Sequence, residues 1–281
     1  MLKLDRPQYS AEDTFAACIS RVRQPGLKSK LVAATDTIRD ASEAYVAAAE
    51  AQALDQIERI PLVNSTVTTA EMEAVYTGRM AKQNAPGRAI YDDIFAAAKG
   101  RCPLCAHRTV TTLDHHLPKA HYPALAVAPL NLVPACGDCN KAKLASIPHI
   151  PEDVSIHPYF DDVTRERWLY ADVVQVTPAS IRFRVKESSA WDSLLAERVR
   201  RHFRALKLSS LYGSEAAEEL LNIRHLLVRL YATGGEADVR AYLEEHAKSC
   251  LAARLNGWRG AAYEAWAKSD WFCNGGFAII G

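Results

Sequence analysis

Four of the seven cysteines fall into two pairs with one internal spacing, Cys102-Pro-Leu-Cys105 and Cys136-Gly-Asp-Cys139. Zinc favours four tetrahedral ligands, and a C-x2-C step presents two thiolates to one ion, so the two steps together complete a shell. A shell closed by four cysteines leaves no position for water, which makes the expected Zn2+ structural rather than catalytic. The 30 residues between the pairs exceed the interval of an ordinary zinc ribbon. Inside that loop lies Leu113-Asp-His-His-Leu-Pro-Lys119, an acid directly before two histidines. Histidine changes charge near neutral pH and is the natural proton acceptor there. The stretch alone does not say whether His115 or His116 does the work. Cys18, Cys250 and Cys273 are scattered and read as buried small apolar residues.

Taken in order, Cys102 and Cys105, Asp114-His115, Asn131-Leu132, then Cys136, Cys139 and Asn140 with Lys143 after it resemble the HNH, or ββα-metal, nuclease superfamily in its zinc-knuckle Asp-His-Asn variant. The match covers roughly residues 100 to 145. The resemblance implies a metal-dependent endonuclease that hydrolyses phosphodiester bonds, with His115 as general base and Asp114 and Asn140 holding Mg2+ or Mn2+. It implies that Asn131 fixes the loop that orients His115. That donor set suits a hard cation, which prefers a carboxylate and an amide oxygen, and such an ion stabilises charge on phosphate oxygens. Lys119, Lys141 and Lys143 are candidate phosphate contacts. The wording from Asp114 to Lys143 is also similar to a bacterial subgroup whose members include Septu-like antiphage nucleases paired with an ATPase, which implies a defence role and an ATPase partner subunit. Plainer readings stand beside these: Asp114 as a turn cap, Asn140 as a helix cap, the lysines as solvated surface, and His107 and His121 as surface residues.

The elements around the loop differ in kind. Residues 1–98 read as a helical region. Ser10 has the position of an N-cap, Pro25-Gly26 is expected to end the first helix, an alanine-rich helical stretch runs from Leu27 to about Glu58, residues 60–67 break it, and Thr69 caps the next helix. No chemistry is read into this region. The expected nuclease module spans 99–150. Residues 99–157 carry six of the nine histidines and seven prolines, which favours short strands and loops, with a helix from about Asp138. Residues 151–281 read as a β-hairpin around Thr177-Pro-Ala-Ser180, followed by helices divided at Gly213-Ser214 and Gly234-Gly235, and a glycine-rich aromatic tail. The fold class expected is therefore α+β, mainly helical.

Composition limits the partners. Thirty-four Lys and Arg against 33 Asp and Glu exclude a uniformly basic nucleic-acid binder. Residues 99–144 nevertheless hold six Lys and Arg against two Asp, a local excess that favours phosphate contact, and DNA is the substrate expected. Arg198 to Lys207 adds a run of cations on an expected helix. No signal peptide or bilayer-length apolar run is visible, so a cytoplasmic protein is expected. Two rivals remain: a nuclease that cuts RNA, and a four-cysteine module that binds nucleic acid or protein without cutting. The second has no need of Asp114, His115 and Asn140 together.

Overall fold

A computed structural model describes residues 1–143, 147–176 and 178–278. The chain divides into two compact units, Met1–Asp162 and Val163–Gly281.

The first unit opens with α1 (Ala11–Ile19), α2 (Pro25–Val32) and α3 (Thr35–Glu50). A two-residue ladder, β1 (Leu62–Val63) with β2 (Val67–Thr68), precedes α4 (Thr69–Tyr76) and α5 (Arg88–Ala96). Then come β3 (Thr112–His115), β4 (Leu132–Ala135) and α6 (Gly137–Lys143). The local chemistry explains most starts. Ser10 accepts a bond from the Asp13 amide at the head of α1. Thr68 and Glu71 form a reciprocal capping box on α4, one residue earlier than the Thr69 cap expected. Pro25 does not stop a helix. It opens α2 from its first position, where a missing N–H costs nothing. The alanine-rich stretch is broken between α2 and α3. Asn64 and Ser65 reverse the chain with φ of 48° and 56°, conformations that short polar side chains tolerate.

The apolar core of this unit crosses position 98. Phe15, Ile38, Tyr45, Met72 and Ile94 belong to the same buried cluster as Leu113, Leu117, Ala126, Val127 and Leu132. The helices and the proline-rich segment are thus packed as one body, and the loop between the cysteine pairs owes its rigidity to helical side chains as well as to sulfur. Strands β3 and β4 run antiparallel, with Asp114 opposite Val133 and His115 opposite Leu132. Pro118 follows β3 closely, and a proline cannot donate to a continuing ladder.

The second unit holds the hairpin β5 (Leu169–Val174) and β6 (Ser180–Val185), then α7 (Ser193–Ala205), α8 (Leu208–Ala253) and α9 (Trp258–Lys268). The hairpin lies where expected. Thr177, within its turn, falls outside the described residues, as do the tail residues 279–281. Gly213 does not divide helices. It sits inside α8, where an added Cβ would stand 3.6 Å from the Ile181 carbonyl oxygen. Gly235 is the real break, at φ 64° and ψ −151°, a pairing that an L side chain disfavours. The tail packs within its own unit. Phe272 and Phe277 are buried, Phe272 stacks 5.7 Å from Trp266, and Tyr231 donates to Asn274 at 2.7 Å. Among the described residues no helix is long and apolar enough to cross a membrane.

Candidate functional site

The two cysteine pairs meet. The Sγ atoms of Cys102, Cys105, Cys136 and Cys139 all lie within 4.8 Å of one another, and all four residues are buried. The first pair sits on a tight loop. The Ala106 amide donates to the Cys102 carbonyl at 2.8 Å, the Arg108 amide donates to Cys105 Sγ at 3.4 Å, and Ala106 turns through φ 54°. The second pair spans the end of β4 and the first turn of α6, where the Cys139 amide donates to Cys136 Sγ at 3.4 Å. Hydrogen bonding from Cys102 draws the Cys105 thiol down and holds Cys136 at about 7, while the same contacts push Cys102 and Cys139 up. Sulfurs this close, with amide donors beside Cys105 and Cys136, fit a soft cation. The cluster could hold a metal ion such as zinc.

Beside it, a cleft of about 410 Å³ is lined by Tyr76, Thr112, Leu113, Asp114, His115, Pro118, Lys119, Ala120, Asn140 and Lys141. Asp114 and His115 are consecutive, and strict alternation would send them to opposite faces of a strand. Both border the cleft, as do Thr112 and Leu113 before them, and β3 ends at His115. His116 is not part of the lining. Its ring lies on that of His157, with centroids 4.1 Å apart and planes tilted by 32°. The two adjacent histidines are thereby separated, His115 towards the cleft and His116 into the packing around His157.

His115 is held through one nitrogen. Its Nε2 stands 2.8 Å from the Ala126 carbonyl oxygen, which can only accept, so Nε2 carries the proton and Nδ1 keeps its lone pair. Burial pushes the imidazole down to about 3, so at neutral pH it is uncharged. The Tyr76 ring meets it edge-on, centroids 4.4 Å apart, and the Tyr76 hydroxyl donates to the Leu113 carbonyl at 3.1 Å.

Asn131 is fully buried and makes three side-chain bonds. Its Oδ1 accepts from the Leu117 amide at 2.7 Å, and its Nδ2 donates to the Leu117 and Leu125 carbonyls at 3.0 and 3.2 Å. These bonds close the loop that ends on Ala126, the residue holding His115. Asn140 lies in the body of α6 and so does not cap its start. Lys119 and Lys141 line the cleft, whereas Lys143 does not. Its Nζ lies 3.1 Å from Asp114 Oδ2 and 2.5 Å from the His115 carbonyl oxygen. Burial pushes Asp114 up and Lys143 down, and each partner opposes the other's shift.

Three contributors escape a reading of the sequence. Tyr76 belongs to a helix whose apolar spacing signals only core. The Ala126 carbonyl carries no side-chain signal at all. His157 sits in Ile156-His-Pro-Tyr-Phe160, where the aromatics suggest packing. There Tyr159 does pack, donating to the Leu132 carbonyl at 2.9 Å, while His157 stands 2.8 Å from the Tyr45 hydroxyl.

Protein ea31 of Escherichia phage lambda is 30% identical to this chain in a 233-residue alignment that covers 79% of each chain. No protein-family profile matches the chain, and no solved structure does.

Proposed function

The chain belongs to the family of phage lambda protein ea31, and we propose, from its own residues, that its 99–150 segment is an HNH-type nuclease module that hydrolyses phosphodiester bonds in DNA. One observation carries the reading. A neutral, carbonyl-anchored histidine, a carboxylate and an amide side chain line a single cleft beside a four-cysteine cluster. A merely structural zinc module does not need the first three.

The residues would divide the work as follows. His115 Nδ1 takes the proton from the attacking water, and the Ala126 carbonyl steadies the imidazolium through Nε2. Asn131 holds the loop that positions that carbonyl. Lys119 and Lys141, at the mouth of the cleft, orient the phosphate by charge. Asp114 and Asn140 offer oxygen donors of the kind that hold Mg2+ or Mn2+, which when bound supplies positive charge to the phosphate oxygens. Cys102, Cys105, Cys136 and Cys139 would hold a Zn2+ ion, which when bound would tie the end of β4 to the loop that begins at Cys102.

Supercoiled plasmid is the direct test. Mg2+ or Mn2+ should support its conversion to nicked or linear product, and His115→Ala should abolish the conversion with zinc content unchanged. Equal rates in parent and variant would remove His115 as the base. Cleavage of RNA but not plasmid would move the activity to the other nucleic acid.

A further inference from the structure

The second unit carries a charged face that the cleavage reading does not use. Register settles which residues share it. Leu169 with Val185, Ala171 with Phe183 and Val173 with Ile181 form one side of the hairpin, and Leu169 and Phe183 are buried in this unit's core. The opposite side carries Tyr170 with Arg184 and Asp172 with Arg182, and Lys186 follows β6 at the next alternate position. Tyr170 gathers cations. The guanidinium of Arg167 lies 4.6 Å from its ring centroid, that of Arg184 5.7 Å and the Lys186 ammonium 5.5 Å.

Internal acids neutralise only part of this set. Asp172 takes Arg184 at 2.5 and 3.1 Å, and Glu264 takes Arg167 at 2.9 Å. Arg182 and Lys186 are exposed and have no ion pair among the described residues. The imbalance extends beyond them. Residues 165–207 hold ten Lys and Arg against five Asp and Glu, within a chain whose net charge is +1. The cationic run at 198–207 is less available than its sequence suggests, because Arg198 is buried and Arg200 and Arg201 pair with Glu197.

We propose that the outer face of the β5–β6 hairpin, through Arg182, Arg184 and Lys186 around Tyr170, binds the sugar–phosphate backbone of nucleic acid without reading sequence. Alternate residues of a strand stand about 6.6 Å apart, so these three cations form a row about 13 Å long. Measured along the duplex axis, that length spans about four nucleotide steps of one strand. Guanidinium forks suit phosphate oxygens, and Tyr170 offers an aromatic surface to a sugar or an unstacked base. The face carries no cluster of large apolar side chains to enter a bilayer, so charge is its means of recognition. The inference rests on this unit alone and holds whether or not residues 99–150 cut.

The test uses the full chain with His115→Ala, so that cutting cannot obscure binding, and a fluorescein-labelled 20-mer followed by anisotropy over a series of NaCl concentrations. Duplex and single-stranded forms are run as separate arms, and tighter binding of either identifies the preferred form. Adding Arg182→Glu with Lys186→Glu should weaken binding at least tenfold and reduce the salt slope by about 2. Arg182→Gln with Lys186→Gln should weaken it less, with an unchanged melting temperature, which separates lost charge from a damaged hairpin. Arg23→Glu with Lys28→Glu, an equal charge change on exposed residues of the first unit, should change affinity less than twofold. Unchanged affinity in the hairpin variants, or equal loss in the control pair, would overturn the proposal. So would competition by polyglutamate as effective as that by unlabelled duplex, which would mark an acidic protein surface as the partner.

Discussion

Lys143 Nζ and the Asp114 carboxylate form an ion pair 3.1 Å long, with each side chain only 10% exposed. The same ammonium donates to the His115 carbonyl at 2.5 Å, so one lysine from α6 ties down two successive residues at the end of β3. A buried carboxylate that loses its cation costs far more than the pair contributes net, typically about 3–5 kcal/mol. Lys143→Met should therefore destabilise the protein by about 3 kcal/mol in urea denaturation, and adding Asp114→Asn should recover more than half of that. Additive losses in the double variant would mean that the two charges are not coupled.

The His115 imidazole gives stability a defined pH dependence. In the unfolded chain it takes a proton near pH 6.5, whereas in the folded protein burial holds it down to about 3. Between these values the unfolded state binds more protons, so stability present above pH 6.5 is lost as pH falls towards 3, at about 1.4 kcal/mol per unit. Asp114 shifts in the other sense. Burial raises it, so its protonation in the folded state returns some stability at the acid end of the window. From pH 7 to pH 5 the parent should lose about 2 kcal/mol more than His115→Asn, measured by urea denaturation at each pH. Parallel profiles would place the imidazole in water.

His116 should behave differently from its neighbour. Its ring packs on His157 and lies outside the cleft lining. His116→Ala should cost about 2–3 kcal/mol in stability, as loss of a packed buried ring does, while turnover per folded molecule stays within about threefold of the parent. His115→Ala should show the reverse, with turnover lost. If His116→Ala abolished cleavage in a folded protein, the working imidazole would be the second one.

Asn131 joins loop order to the site. Its three side-chain bonds go to backbone groups that are themselves buried, and each unmet buried polar group costs about 1–3 kcal/mol. Asn131→Ala should destabilise by about 3 kcal/mol or more. Asn131→Asp keeps the Leu117 amide bond but faces two carbonyl oxygens with a carboxylate, and should be at least as harmful. A mild effect of Asn131→Asp would show that the loop holds its shape without the amide.

What the sequence revealed follows from where the chemistry resides. Ligand spacing is local, so the Cys102–Cys105 and Cys136–Cys139 pairs were readable directly, and their convergence followed from zinc geometry. The outcome at His115 and His116 was not readable from alternation, because it depends on where β3 stops. Pro118 hinted at that end, but the carbonyl of Ala126 and the ring of His157 decide it from 11 and 41 positions away. Lys143 read as a phosphate contact, or as solvated surface, and the structure instead buries it against Asp114. Its burial depends on α6 lying across β3, which no local pattern encodes. Gly213 shows the converse error. A glycine looks like a break, yet Gly213 continues α8, and an added Cβ there would meet the Ile181 carbonyl oxygen only at an ordinary contact distance.

The four-cysteine cluster makes the strongest demand on folding. The loop around Cys102 is buried, with Leu104 3% exposed, and its amides bond within the loop, from Cys102 to the Arg108 carbonyl and from Ala106 to the Cys102 carbonyl. Structural zinc in small modules contributes folding free energy on the order of 10 kcal/mol. Purified chain should contain about one zinc ion per molecule, measured by mass spectrometry of the intact native protein. Stripping the metal with a strong chelator should lower the melting temperature of the first unit and expose Cys102, Cys105, Cys136 and Cys139 to thiol reagents together, because loss of the ion releases both pairs at once. Cys136→Ser should reproduce the loss even with zinc present. Cys273→Ser is the control, since that buried thiol stands outside the cluster, and it should leave zinc content unchanged. A folded protein with no metal and four reduced, protected thiols would mean that packing alone holds the cluster.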